Sequence, residues 1–301
     1  MFGHSEPRRV AWPRSPVTAS CVSFADVTTT GQHCVGPSLT PLTRGVSVIR
    51  LVPATVAYTA LLVVVAACVG ALVPRAQETV VSRMSTNLHN LACGHLDTLI
   101  GSAFVTGGGV GIWLLGLVCL LVSGELAWRS GRLMAVFAVG HIGSTLIVAA
   151  GLAVAVHVGW LPISVMGADD VGVSYGAAAV LGGLTATLPR HMQPAWVGWW
   201  LGTALFTAWE LDFTAVGHVV ALALGIGLSV LLPHGVHRTL WTWGLLVVGV
   251  GFGYLLLTAS AVVPTSGGLV GVLIAILVQQ IPRRLSIARL SIPTGGGATA
   301  N

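Results

Sequence analysis

The chain has 301 residues, of which 54% are hydrophobic and 8% charged, with a mean hydropathy of +0.89 and a formal net charge of +5. This composition excludes a soluble globular protein, because a soluble surface normally requires about a quarter of the residues to be charged. It indicates a multi-pass membrane protein with an all-α fold.

The first 50 residues are polar, rich in proline and arginine, and lack an apolar run long enough for a signal peptide. They predict a disordered tail on the cytoplasmic side of the membrane. At the other end of the chain, residues 286–301 predict a second flexible tail.

Eight hydrophobic segments lie between these tails, and most are long enough to cross a hydrocarbon core of about 30 Å. The first six predict a membrane core over residues 51–232, and the last two predict additional C-terminal membrane segments within residues 233–285. A loop of mixed polar and apolar residues, 75–96, predicts an interfacial segment with an amphipathic helix. The predicted spans are residues 51–73, 99–122, 133–156, 171–188, 195–209, 213–232, 240–262 and 268–281.

The basic residues indicate the orientation of these spans. All 14 are arginines, and with the N-terminus inside, only Arg75 and Arg83 lie on the outer side. Such a bias predicts a cytoplasmic N-terminus. We expect a multi-pass protein of the plasma membrane.

Two residues within the spans carry reactive side chains at matching depth. Ser174 lies near the start of the fourth span and His218 lies in the sixth. Counted from Asp170 and Asp212, they lie about 6 Å and about 9 Å inside the same outer face. An imidazole that accepts the proton of a serine hydroxyl would create an acyl-transfer site. The alternatives are close helix packing at the serine and a backbone or threonine hydrogen bond at the histidine.

His141 lies in the middle of the third span, where an imidazole should face the interior of the bundle. It could bond to a backbone carbonyl, support the Ser174/His218 pair, or donate to an oxyanion. No pattern predicts a metal or another cofactor. The five cysteines are scattered, and Cys93, His95 and Asp97 alternate at a spacing that points them to different sides of a helix.

The order of these elements resembles the rhomboid family of intramembrane serine proteases over about residues 50–232. The fourth span, VGVSYGAAAVLGGL, is similar to the GxSG segment of that family, and the sixth, GHVVALALG, is similar to its AHxxGxxxG segment. HLDTLIGSAFV and GELAWRSGRLMAVFAVGHIGS are similar to the stretches beside its second and third helices. The matching positions in the fourth and sixth spans are Gly172, Ser174, Leu181, Gly182, Leu184, His218 and Gly225.

The resemblance implies an all-α, rhomboid-like core of six helices and a catalytic dyad of Ser174 and His218 without a carboxylate. It also implies that no metal takes part and that single-span membrane proteins are cleaved. Gly172 and His141 are the candidates for oxyanion or supporting roles.

The chain also departs from proteolytic members of the family. Those members carry a His and an Asn in the second helix, whereas Thr106, Gly111 and Leu115 lie near the expected positions here. An alternative register places His95 at the histidine and leaves Leu99 in place of the asparagine, so neither register supplies the full set. Loss of one oxyanion donor typically costs about 100- to 1000-fold in rate. Tyr175 replaces the glycine after the serine, and Ala178 stands where many members place an aromatic ring on the histidine.

The sequence therefore predicts a divergent rhomboid-like serine protease that cleaves transmembrane segments. The alternative is a catalytically inactive rhomboid-like protein that binds transmembrane helices and affects their folding or trafficking. A small transporter or channel is less favoured, because no internal repeat is visible. The expected partners are the lipid bilayer and a single-span substrate or client, and we expect no nucleic acid.

Overall fold

The computed structural model describes residues 51–106, 111–210, 212–234, 240–258 and 263–290, and in the last range the side chains of residues 265–280. Within these ranges the chain contains helices and no strand, which confirms the predicted all-α bundle. The α-helices are α1 (Pro53–Gly70), α2 (Pro74–Met84), α3 (Leu88–Ala92), α4 (Thr98–Gly101), α5 (Trp113–Trp128), α6 (Ser130–His157), α7 (Ser174–Gly183), α8 (Gln193–Thr207), α9 (Phe213–Leu228), α10 (Leu240–Leu257) and α11 (Val263–Leu290). Short 3₁₀ turns extend α7, α8 and α9 at their C-terminal ends.

Four helical stretches are long and apolar enough to cross a membrane: Pro53–Gly70, Ser130–His157, Phe213–Leu231 and Leu240–Leu257. Two shorter apolar helices, Trp113–Trp128 and Thr265–Gln280, accompany them. The predicted tail over residues 1–50 lies outside the described residues. Of the predicted C-terminal tail, residues 286–290 belong to α11, and residues 291–301 lie outside the described residues.

The second predicted span, residues 99–122, is wrong at both ends, because α5 begins at Trp113 and ends at Trp128. The apolar residues before it instead fold against the bundle. The hydroxyl of Tyr58 donates to the carbonyl of Ala103 at 2.7 Å, and the backbone N–H of Gly172 donates to the carbonyl of Ser102 at 2.8 Å. These carbonyls are therefore bound by distant parts of the chain.

A buried carboxylate ties together α1, α5 and α6. Glu125 of α5 is 1% exposed and accepts hydrogen bonds from the backbone N–H groups of Ala54 and Thr55, both at 2.8 Å. The hydroxyls of Thr55 and Ser130 donate to the same carboxylate at 2.6 Å. The first N–H groups of a helix lack partners within it, and a negative charge there is favoured by the helix dipole. Glu125 thus fixes the start of α1 beside the junction of α5 and α6.

Helix α7 is the centre of the bundle, with α6, α9, α5 and α10 packed around it. Small residues make these contacts close. A Cβ atom at Gly140 would overlap the side chain of Ala179, and one at Gly182 or Gly225 would overlap backbone atoms of the facing helix. Glycine lets helix backbones approach each other in a membrane, where packing rather than hydrophobicity drives association. The position of α7 is therefore set by backbone contact on two sides.

The loop predicted over residues 75–96 contains α2 and α3, and it is joined to the segment before α7. The backbone N–H and the hydroxyl of Thr86 both donate to the carbonyl of Asp170 at 3.0 Å. The backbone N–H of Asp170 donates to the hydroxyl of Ser85 at 2.7 Å. The segment that precedes α7 is thus hydrogen-bonded, through Asp170, to the loop that contains α2 and α3.

The two C-terminal helices pack on different parts of the bundle. Helix α10 runs along α5 and touches α7, whereas α11 packs along α8. In the second pair, Gly198 and Gly202 of α8 face Gly267 and Gly271 of α11 so closely that a Cβ atom at any of them would overlap the opposite helix.

Candidate functional site

Ser174 is the first residue of α7 and is only partly buried. It lines a cavity of about 300 Å³ together with the preceding turn, Thr106, and residues of two other helices. The residues from those helices are Trp113 of α5 and Phe252, Leu255 and Leu256 of α10. The serine therefore opens toward α5 and α10.

The turn before Ser174 depends on a glycine. Gly172 has a φ of +121°, a conformation that residues with a Cβ atom rarely adopt. Its backbone N–H is already bound to the carbonyl of Ser102. In this conformation the N–H of Gly172, a predicted oxyanion donor, is directed at protein and not at the cavity.

His218 of α9 contacts the residue after the serine. Its ring meets that of Tyr175 edge-on, with centroids 5.4 Å apart and an angle of 81° between the ring planes. The Nε2 atom of His218 is buried without a hydrogen-bond partner, and in the part of the chain that the structure describes no hydrogen bond joins His218 to Ser174. The two residues predicted as a dyad thus lie on packed helices without a direct bond.

Tyr175 is the aromatic partner of His218, a contact that the sequence did not predict. It is 2% exposed, and a Cβ atom at Gly217 would overlap its phenol ring. The glycine before His218 therefore makes the space that the tyrosine fills. The hydroxyl of Tyr175 is buried and has no hydrogen-bond partner of good geometry.

Two carboxylates lie at the N-terminal ends of α7 and α9. Burial raises the pKa of the Asp170 carboxyl to about 6, against the opposing effect of the nearby Tyr175 hydroxyl. Asp212 caps α9, since its side chain accepts a hydrogen bond from the backbone N–H of Ala215 at 3.1 Å. The aromatic pair of Tyr175 and His218 is therefore bordered by acidic groups.

His141 is 3% exposed, and its Nε2 lies 3.0 Å from the hydroxyl of Ser102. Its Nδ1 is buried without a partner. Because the carbonyl of Ser102 binds the N–H of Gly172, His141 is connected through Ser102 to the turn that carries Ser174. This link favours a supporting role among the alternatives for His141. Ser102 was not predicted, since a lone serine in an apolar stretch gives no sequence signal.

The three residues near the positions of the family's His and Asn have different surroundings. Thr106 lines the cavity beside Ser174. Gly111 precedes α5, and Leu115 is 60% exposed. Among the described residues there is also no group of three or more His, Cys, Asp or Glu side chains that could hold a metal ion.

Comparison with protein-family models gives a match over residues 47–238 to the family described as rhomboid-like protein. No curated protein and no solved structure matches the chain significantly. The family match covers more than half of the chain, contains α1 to α9 with Ser174 and His218, and ends before α10. With this match, the chain belongs to the family of rhomboid-like proteins.

Proposed function

We propose that this rhomboid-like protein binds membrane-spanning helices of other membrane proteins without cleaving them. The observation that carries the proposal is the environment of His218, whose ring packs against Tyr175 while its Nε2 has no hydrogen-bond partner. A serine hydroxyl becomes a nucleophile when an adjacent base accepts its proton. The arrangement around Ser174 supports binding better than acyl transfer.

The lining of the cavity beside Ser174 supports the same conclusion. Its lining includes the large side chains of Trp113, Phe252, Leu255 and Leu256. Hydrogen-bond donors directed at the developing oxyanion accelerate peptide cleavage, and the loss of one typically costs about 100- to 1000-fold in rate. An apolar wall of this kind suits the side chains of a helix within the bilayer.

The proposal includes the cellular setting. The arginine bias favours a cytoplasmic N-terminus, and we propose the plasma membrane as the membrane in which the protein resides. The client would then be a single-span protein of the same membrane. Its helix would pack through small residues, as the helices within this bundle do.

A binding assay in lipid nanodiscs tests the proposal. A fluorescently labelled single-span peptide carrying a Gly-x-x-x-Gly pattern is titrated onto the labelled full chain, and energy transfer reports association. We expect saturable binding and, by mass spectrometry, an intact peptide after prolonged incubation. The matched control is the same peptide with both glycines replaced by isoleucine, which should bind more weakly. Absence of saturable binding by the folded protein would contradict the proposal.

A second candidate function is proteolysis by Ser174 and His218, which stays a prediction. It is favoured by the partial exposure of Ser174 to the cavity and by the close packing of α7 on α9. In the same assay, peptide fragments formed by the wild type and by neither Ser174→Ala nor His218→Ala would favour this candidate.

A further inference from the structure

We propose that a groove between α8 and α11 binds an anionic phospholipid, with an acyl chain along the two helices and the phosphate where α8 begins. The groove is lined by residues between Pro194 and Trp209 on one side and between Ser266 and Gln279 on the other. It is separate from the cavity beside Ser174, and the proposal does not depend on the binding of membrane-spanning helices. Helix α8 lies inside the family match, whereas α11 lies beyond it.

The groove has the size and the lining of a site for a small apolar ligand. Its volume is about 760 Å³, and nearly all the side chains that line it are apolar. Sites for small molecules typically have about 300–1000 Å³ and a mainly apolar lining. A membrane-spanning helix is about 10 Å wide and about 30 Å long, so a cavity of this volume suits an acyl chain better than a helix.

The groove is also long enough for an acyl chain of one leaflet. Half of the hydrocarbon core is about 15 Å thick, which corresponds to about ten residues of α-helix. Counted from Pro194, that length ends near Ala204, whereas the groove continues to Trp209. On the opposite side, Ile274 lies only about 8 Å along α11 from Gln279. An acyl chain that begins beside Pro194 and Gln279 would therefore pass Ile274.

A second cavity, of about 360 Å³, adjoins the groove where α8 begins. Gln279 lines both cavities. The other polar side chains of the second cavity are His191 and Gln280, which are exposed and can donate hydrogen bonds to phosphate oxygens. Trp196 also lines this cavity, and tryptophan is typical of the membrane interface, where lipid headgroups lie. The polar cavity thus adjoins the apolar groove, as the headgroup of a phospholipid adjoins its acyl chains.

The charge around the second cavity is positive and uncompensated. Arg190, which precedes the first polar residue of the cavity, is exposed. Helix α11 continues beyond the cavity and carries Arg283 and Arg284 about one turn past the last residue that lines it. Residues 171–209 and 213–301 contain no Asp or Glu. Basic pockets between membrane helices bind the headgroups of anionic lipids, so this charge selects an anionic phospholipid over a zwitterionic one.

Native mass spectrometry of the full chain in detergent tests the headgroup end with two lipids of different charge, dioleoylphosphatidylglycerol and dioleoylphosphatidylcholine. We expect the wild type to retain one phosphatidylglycerol in preference to phosphatidylcholine. An arginine near an anionic headgroup contributes about fivefold in affinity, so Arg190→Gln should weaken the binding of phosphatidylglycerol by about that factor. The matched control is Arg132→Gln, which removes the same charge from an exposed position of α6 outside both cavities and should bind like the wild type.

Two neighbouring residues of α11 test the acyl-chain end. Ile274 lines the groove and is 55% exposed, whereas Leu273 is 60% exposed and does not line it. Ile274→Trp should abolish the retention of both lipids, because the indole fills the groove, and Leu273→Trp should retain lipid like the wild type. Val270→Trp, at a second exposed position of the groove, repeats the test if Ile274→Trp does not fold.

The proposal is overturned if the wild type retains phosphatidylglycerol no better than phosphatidylcholine, or if Arg190→Gln and Arg132→Gln bind phosphatidylglycerol equally. It is also overturned if a folded groove variant retains lipid as Leu273→Trp does. None of these results decides whether the protein binds single-span peptides, so the proposed function stands or fails by its own assay.

Discussion

One residue beside the serine determines what His218 contacts. The proteases that the sequence resembles have glycine after the serine, whereas this chain has Tyr175, whose ring packs edge-on against His218. The space for the phenol comes from Gly217. Many members of the family place an aromatic ring against the histidine from the position of Ala178. In this chain Tyr175 provides the aromatic ring instead.

At the same scale, Asp170 should make stability depend on pH. Burial raises its pKa from 3.8 to about 6, so the folded state binds a proton more tightly than the unfolded state between these values. Stability is then greatest with the carboxyl protonated and falls as the pH rises through this window. We expect the melting temperature of the wild type to fall between about pH 4 and about pH 7 relative to that of Asp170→Asn, measured by thermal unfolding in detergent.

The neighbouring Asp169 provides the control for this measurement, because its side chain is exposed. Asp169→Asn should keep the pH dependence of the wild type. Equal pH dependence of the wild type and Asp170→Asn would show that the Asp170 carboxyl is not the group responsible.

At the scale of the elements, the contact between α7 and α9 depends on glycines facing backbone. A Cβ atom at Gly225 of α9 would overlap the carbonyl of Ala179, and one at Gly182 of α7 would lie 2.9 Å from the backbone N of Ile226. Both glycines, Gly182 and Gly225, were among the matches to the family pattern. Close approach of the two helices is what brings His218 onto Tyr175.

Gly225→Ala should therefore destabilise the bundle by about 1–3 kcal/mol, since an added methyl forces a well-packed contact apart. Gly227→Ala is the matched control, because it lies on the same helix and its Cβ atom would meet nothing within 4 Å. Both changes alter helix propensity equally, so the difference in melting temperature isolates the contact. Equal melting temperatures for the two variants would show that α7 and α9 do not pack in this way.

At the scale of the whole molecule, hydropathy correctly predicted a helical multi-pass bundle and was a poor guide to the second span. The apolar residues before α5 resemble membrane helix in composition, but the carbonyls of Ser102 and Ala103 are bound by Gly172 and Tyr58. Such long-range hydrogen bonds leave no trace in a hydropathy pattern. The Glu125 network likewise joins residues about 70 positions apart.

The candidate site shows the same limit. Counting residues from the nearest charges gave the depth of Ser174 and His218, and both do lie near the ends of their helices that Asp170 and Asp212 precede. Depth does not give rotation about the helix axis. Successive residues of a helix point about 100° apart, so Tyr175 faces α9 while Ser174 faces the cavity.

The central claim is that the protein binds transmembrane helices and that Ser174 is not an activated nucleophile. Labelling with a fluorophosphonate probe in native membranes tests this most directly, with the wild type, Ser174→Ala and His218→Ala compared at matched expression and an active rhomboid protease as positive control. The claim predicts that the wild type labels no more than Ser174→Ala. Labelling of the wild type that is lost in both variants would contradict it and establish Ser174 as a nucleophile activated by His218.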